Sequence, residues 1–229
     1  MPSIRDYTRG SVNPVNIGKS IAYDIAFMRA NPDYMETVGI VCFVGAQGAG
    51  KTLSAVKAFK KAAQTYPKAK LCSNLAVNGL GDREIIPFTD YEQISELKNG
   101  IAGVIFLIDE MQTVWNCMEA RSIPIDEVGT LCQNRKDRRL IFGTSQVYGR
   151  TAKQVREQYK YVVFCRSFLK YIQWNTVVDP CPDGYTSEDD GHFEGEIKWH
   201  SLFFHHPSDY KAYDTLNKIE RMKRGVKRG

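Results

Sequence analysis

Four short apolar runs punctuate the middle of the chain: GIVCFV at 39–44, the centre of AKLCSNL at 69–75, VIFLI within GVIFLIDE at 103–110, and LIF within RLIFGTSQ at 139–146. Runs of this length without polar interruption suit strands buried on both faces. After the first, KTLSAVKAFKKAAQTY places Leu53, Val56, Phe59 and Ala63 on one helical face and Lys57 and Lys61 on another. TDYEQISELKNG reads as a helix opening at Thr89 and stopped by Gly100, and a further helix is expected from about Ile125 to Arg135. Strands that alternate with helices in this way predict an α/β fold with a doubly wound, mostly parallel sheet.

The two ends of the chain read differently. Residues 1–36 are polar and mixed, apart from an amphipathic stretch, Ile17 to Arg29, expected to form a helix packed against the core. After Tyr148 the pattern becomes alternating and aromatic: YKYVVFCRSFLKYIQW predicts antiparallel strands or a hairpin, with EIKWHSLFFH as a further partner. Between them DPCPDGYTSEDDGHFEGE is rich in turn formers and acids and reads as a surface excursion. A last helix is expected from about Tyr210 to Arg224. The chain thus divides into an N-terminal segment (1–36), an α/β core (37–158), and a β-rich C-terminal extension with a helix and a basic tail (159–229).

With 229 residues, 43% of them hydrophobic, one domain can bury a sizeable core. The six cysteines are scattered without a C-x-x-C pair, which predicts free thiols in a reducing compartment. No apolar run approaches the roughly 18 residues of a membrane-spanning helix. The net charge of +5 is concentrated: Lys218, Arg221, Lys223, Arg224, Lys227 and Arg228 face one acid, Glu220, at the chain end, and without that segment basic and acidic residues are equal in number.

The first apolar run leads directly into GAQGAGKT at 45–52, where Gly45, Gly50, Lys51 and Thr52 have the spacing G-x-x-x-x-G-K-T. Such a loop binds the phosphates of a nucleotide because its backbone amides point inward. Its lysine neutralises the β and γ phosphates, and its hydroxyl ligates magnesium. The nucleotide-binding set read here is Gly45, Gln47, Gly48, Ala49, Gly50, Lys51, Thr52 and Leu53. Asp109 and Glu110 follow VIFLI, at the strand end where an open α/β sheet places its ligand crevice. Asp109 is suited to hold Mg2+ with Thr52, and Glu110 to polarise an attacking water, which turns a binding site into a hydrolase. FGTSQ ends a strand in polar residues, and Gln146 would reach the γ-phosphate or the lytic water if this strand lies beside the acidic one.

NRKD at 134–137 imitates the guanine-reading motif of GTPases, but it has Arg at its second position, precedes an apolar run, and is not accompanied by D-x-x-G after Asp109. ATP is therefore the expected nucleotide. The arginines of QNRKDRR either form a solvated turn or project into a neighbouring subunit's site, where an arginine finger contributes roughly 10³ to 10⁵ in rate. His192, His200, His205 and His206 with Cys181 fit no standard zinc spacing.

Together, the phosphate loop, the D-E strand end, the arginine-bearing helix end and T-x-Q resemble the FtsK/HerA superfamily of DNA-pumping ATPases, over about residues 39–156. Within it the chain is similar to the Zot-like proteins of filamentous phages and to the genome-packaging ATPases of internal-membrane viruses. YKAYDT at 210–215 is similar to a Y-D-T motif of the former. The resemblance implies a P-loop NTPase fold of the additional-strand type, with Lys51 and Thr52 on phosphate and Mg2+, Asp109 on Mg2+, Glu110 as catalytic carboxylate and Gln146 as sensor. It implies Arg135 as a finger acting in trans, although Asn134 stands where the family has glycine, which leaves Arg138, Arg139 and Arg121 as rivals. The implied assembly is a homo-oligomer, a hexameric ring, that translocates DNA without sequence preference in the host cytoplasm or at a virion's packaging vertex, with capsid vertex or viral membrane proteins as docking partners.

The Lys218 to Arg228 tail and the lysines after Arg150 are candidates for phosphate contacts. Zot-like proteins of filamentous phages also carry a transmembrane segment and an exported tail that this sequence does not display, which favours the packaging branch. The alternative is an ATP-dependent morphogenesis protein of the Zot-like type without pumping activity. A small P-loop kinase fits the D-E pair and T-S-Q less well.

Overall fold

The computed structural model describes residues 14–118, 123, 125–180 and 195–213. Arg121, Cys181, His192 and the Lys218 to Arg228 tail lie outside these residues, as does most of the expected surface excursion. Residues 1–34 and 35–229 form two units. In the first, α1 (Pro14–Ala30) covers the expected amphipathic stretch, and none of its residues is buried. Ile17, Ile21 and Ile25 are exposed at 53%, 55% and 49%.

The second unit is an α/β sheet. Its elements are β1 (Gly39–Val44), α2 (Lys51–Thr65), β2 (Lys70–Ser73), β3 (Ile85–Pro87), α3 (Glu92–Glu96), β4 (Val104–Ile108), α4 (Ile125–Cys132), β5 (Arg139–Ser145), α5 (Lys153–Arg156), β6 (Tyr159–Phe168), β7 (Ile172–Asp179), β8 (Glu196–Phe204) and α6 (Pro207–Tyr210). The strand order is β3-β2-β4-β5-β1-β6-β7-β8. Pairing is parallel from β3 through β6. It is antiparallel for β6–β7 and β7–β8, the hairpin and further partner that the aromatic alternation predicts. The boundary expected at residue 158 falls just before β6, which pairs along β1, so one sheet runs through both segments.

The period-two alternation of strands explains two separate cores. Along β4, Ile105 and Leu107 face the side covered by α2, with Val56 and Phe59. Val104, Phe106 and Ile108 face the other side, with Trp115 and Leu131. α2 buries Leu53, Val56, Phe59, Ala62 and Ala63, and ends at Thr65, because the following Pro67 disfavours a helical conformation at Tyr66.

Two helices are shorter than their sequence patterns predict. The side chain of Gln93 accepts from the backbone amides of Thr89 at 2.7 Å and Asp90 at 3.2 Å, and Asp90 Oδ1 accepts from Glu92 N at 3.1 Å; these bonds satisfy the amides ahead of α3, which begins at Glu92. Gly100, expected as a terminator, instead opens a 3-10 turn with φ of 56°. α4 ends at Cys132, short of Arg135, because the next amides tighten onto nearer carbonyls: Gln133 N donates to Thr130 O at 3.1 Å and Asn134 N to Leu131 O at 3.4 Å. Of the last expected helix, Tyr210 to Arg224, only residues 210–213 lie among the described ones, and they do not start it: α6 ends at Tyr210 and Tyr213 forms a β-bridge to Val77.

Candidate functional site

The phosphate loop follows the carboxyl end of β1, and Asp109 and Glu110 follow that of β4. β5 lies between these strands, so Thr144, Ser145 and Gln146 reach the same edge. Register fixes the meeting: Ile108 pairs with Gly143, which sets Asp109 next to Thr144. The Thr144 hydroxyl donates to Asp109 Oδ1 at 2.6 Å and accepts the Glu110 backbone N–H at 2.9 Å. Thr52 Oγ1 donates to the same Asp109 oxygen at 3.1 Å. One buried hydroxyl thus ties both acidic residues to β5, while the phosphate-loop threonine is tied to the first of them.

The peptide of Asp109 is clamped on its other side as well. Asn74, just beyond β2, accepts from Asp109 N at 2.8 Å and donates to Asp109 O at 2.9 Å. Glu110 has a left-handed backbone (φ 55°), uncommon for a residue with a side chain, and the chain leaves the β4 direction at this point. Glu110, Gln112, Thr113, Asn116, Gln146 and Arg150 line a cleft of about 500 Å³. Within it the Arg150 guanidinium donates to Gln146 Oε1 at 3.4 Å.

In the phosphate loop, Lys51 Nζ donates to the Ala46 carbonyl at 3.0 Å, folding the lysine back over the loop. Gln47 and Gly48 are exposed and Gly45, Ala49 and Gly50 half-buried. The Leu53 side chain is buried, which leaves its backbone amide as the group able to meet a phosphate. Gly50 immediately precedes α2 with φ of 78°, a conformation that glycine adopts without strain. The Thr52 hydroxyl and the Asp109 carboxylate are hard oxygen donors, the type that magnesium takes, and their direct hydrogen bond brings them within reach of one ion.

The arginines separate by position. Arg135 lies in the turn before β5, at the opposite end of that seven-residue strand from Thr144, roughly 20 Å along it. It is exposed and does not join its own chain's site. Arg139 is 1% exposed, ion-paired to Asp137 at 2.6 Å and donating to the Thr130 carbonyl at 3.1 Å. Burial lowers its pKa, against the pull of Asp137, and its guanidinium is committed to the fold. Arg138 is half-buried and donates to the Met35 carbonyl at 3.5 Å.

Four residues at or against this edge escape the motif reading: Asn74, Thr144 in its linking role, Arg150 and Gln173. Asn74 and Thr144 obey the same strand-end rule that singles out Gln146, and could have been found by it. Arg150 lies beyond that strand end in a 3-10 turn, with no local pattern to mark it. Gln173 sits on β7, where its Nε2 donates to the Ala49 carbonyl of the phosphate loop at 2.9 Å. The C-terminal residues also return to the site: Tyr213 bridges to Val77, and burial, followed by the charge of Asp109, raises its phenol pKa.

No protein-family model matches the chain, and no curated protein matches it. Among solved structures it is similar to the N-terminal domain of zonular occludens toxin from Neisseria meningitidis, with 18% identity, a TM-score of 0.54, and coverage of 78% of this chain and 100% of that one. It is also similar to a second solved ATPase domain, with 11% identity, a TM-score of 0.51, and coverage of 91% and 100%. A looser similarity, with a TM-score of 0.47 and 11% identity over 62% of this chain and 92% of the other, links it to B204, the DNA-packaging ATPase from Sulfolobus turreted icosahedral virus. With a phosphate loop after β1, an acidic pair after β4 and β5 inserted between them, the chain has the fold of the P-loop NTPases, in its additional-strand form.

Proposed function

We propose that this protein is an ATPase that acts as a hexameric ring of identical subunits and translocates DNA to package a viral genome. The observation that carries hydrolysis is the bonded set Thr52, Asp109, Thr144 and Glu110 beside the phosphate loop. In this reading the amides of residues 45–53 cradle the phosphates and Lys51 neutralises the β and γ groups. Thr52 and Asp109 would hold Mg2+, which would supply further charge neutralisation at the phosphates. Glu110 accepts a proton from a water whose oxygen bonds to the γ-phosphorus, while the bond from that phosphorus to the β–γ bridging oxygen breaks and ADP leaves. Gln146 orients the water. Arg135, too far along β5 to serve its own chain, enters the neighbour's site.

Translocation and packaging rest on the sequence resemblance, on the basic chain end, and on exposed Lys153, Lys160 and Lys170, which suit non-specific phosphate contacts. The same resemblance assigns the protein to the host cytoplasm or the packaging vertex. The test is ATP hydrolysis by the purified chain with and without DNA at low salt. Lys51→Ala should lose nucleotide binding, and Glu110→Gln should keep ATP bound and uncleaved. Mixing Lys51→Ala with Arg135→Ala subunits should restore part of the activity. Wild-type hydrolysis by Glu110→Gln overturns the catalytic assignment.

A second reading, an assembly ATPase without pumping activity, is favoured by exposed apolar residues on the β8 edge, where Trp199, Leu202 and Phe204 stand 48%, 54% and 66% exposed and suit protein docking. Hydrolysis that DNA does not stimulate would select it.

A further inference from the structure

We propose that Gln173 is a positioning residue for the phosphate loop, through which the C-terminal hairpin and the segment after it hold that loop in its nucleotide-binding shape. The inference rests on the reading of residues 45–53 as the nucleotide site.

Gln173 is fully buried, and its Nε2 donates both to Ala49 O and to Asn175 Oδ1, each at 2.9 Å. A carbonyl only accepts, so Ala49 fixes which end of the amide faces the loop. Asn175, 4% exposed, in turn donates to Ser54 Oγ on α2 at 3.1 Å. Two polar residues at i and i+2 of β7 therefore grip the loop and the first turn of the following helix. They occupy space that the loop leaves free, since a Cβ at Gly50 would overlap Gln173 Oε1. Buried amides are stable only when bonded, so β7 and the loop specify each other's positions.

The grip is backed from outside. With its nitrogen turned to Ala49, Gln173 presents Oε1 to His205 Nε2 at 3.3 Å, and His205 Nδ1 meets Tyr210 Oη at 2.7 Å. His205 N donates to the Tyr171 carbonyl at 2.8 Å and Tyr210 Oη to the Lys170 carbonyl at 3.1 Å. The same segment pairs Asp209 with Lys57 of α2 at 3.4 Å, and its Ala212 carbonyl accepts from Asn78 N at 2.7 Å. Residues 205–213 thus cross α2 from the hairpin side to the β2 side, with Gln173 as the contact to the loop.

The test is the full chain with Gln173→Met, which keeps volume and loses the donor, and Gln173→Ala. The Kd of ATP and of ADP and the KM of ATP are expected to rise about tenfold or more, the size of losing a buried hydrogen bond. At saturating ATP, kcat should stay within about threefold. Phe59→Leu, a core change in α2 that lowers stability, should bind as wild type and so separates positioning from general weakening. His205→Ala should raise KM in the same direction by a smaller factor, and it carries the test if the Gln173 variants do not fold. Wild-type Kd in Gln173→Met, a loss confined to kcat, an equal rise in Phe59→Leu, or an unchanged KM in His205→Ala when that variant carries the test overturns the proposal. Wild-type nucleotide binding by Lys51→Ala would instead refute the underlying site, independently of Gln173.

Discussion

Replacing Thr144 by Val changes one hydroxyl for a methyl at constant shape, and the geometry assigns that hydroxyl two bonds. The first runs to the Asp109 carboxylate at 2.6 Å, and bonds to charged groups contribute about 1.5–3 kcal/mol. The second is the Glu110 amide at 2.9 Å, and an orphaned amide in a buried setting costs about 1–3 kcal/mol. Both bonds are part-buried, so water can replace some of each, and a combined loss toward the low end of the sum, about 2–4 kcal/mol, is expected, equivalent to a Tm fall of roughly 5–15 °C for a chain of this size. The functional loss should exceed what unfolding explains, since displacement of a reacting group by about 1 Å can cost 10²-fold in rate. The assay is steady-state ATP hydrolysis well below the lower Tm, beside thermal unfolding monitored by circular dichroism. Thr144→Ser, which keeps the hydroxyl, should remain within a few-fold of wild type. A Thr144→Val protein with wild-type kcat and Tm would refute the idea that this residue links the acidic pair to β5.

Burial pushes the thiol pKa values of Cys42, Cys72 and Cys165 up to about 12, whereas Cys117 and Cys132 are exposed. The thiolate is the reactive form, so at pH 8 iodoacetamide should label Cys117 and Cys132 in the native protein and spare Cys42, Cys72 and Cys165; peptide mass spectrometry showing early labelling of Cys42 would contradict this packing. Arg139→Ala should lower stability by about 2–4 kcal/mol by removing a buried ion-pair partner, without raising KM for ATP below its Tm. Arg135→Ala, at an exposed turn, should leave Tm within a degree or two but reduce kcat in the assembled protein by about 10³-fold; retained activity in an intact assembly removes it as the finger. Gly143→Ala would drive its new methyl into Met111, which crosses that strand face, and should cost about 1–3 kcal/mol with partial recovery in the Met111→Ala background.

Local pattern carries much of this architecture because each strand of the core is short, apolar and buried on both faces. VIFLI cannot be exposed without losing five buried side chains, and KTLSAVKAFKK cannot be other than a one-sided helix. Phosphate-loop spacing is legible for a related reason, since a backbone cradle needs glycine at fixed offsets. The three-residue β3, which ends in Pro87, is too short to leave a periodic signal. Helix ends also escape, because Gln93 bonds back to the amides of Thr89 and Asp90, a side-chain choice that no periodicity records.

The contacts that organise the site lie beyond local pattern for a deeper reason. Each strand end taken alone offers a plausible polar residue: Asn74 after β2, Asp109 after β4, Thr144 at the end of β5, Thr52 beyond β1. Which of them touch depends on strand order and register. The order β2-β4-β5-β1 sets Asn74 on one side of the Asp109 peptide and Thr144 on the other. A one-residue slip of β5 against β4 would turn Thr144 to the opposite face and leave both Asp109 and the Glu110 amide without it. Gln173 is further still from local inference, because its partner Ala49 lies 124 residues earlier and meets it only after β6 has docked beside β1 and the hairpin has turned back. The motif therefore supplies the groups that hold a nucleotide, whereas the sheet supplies their spacing. A truncation that removes β7 should weaken nucleotide binding even though the entire phosphate-loop sequence is retained.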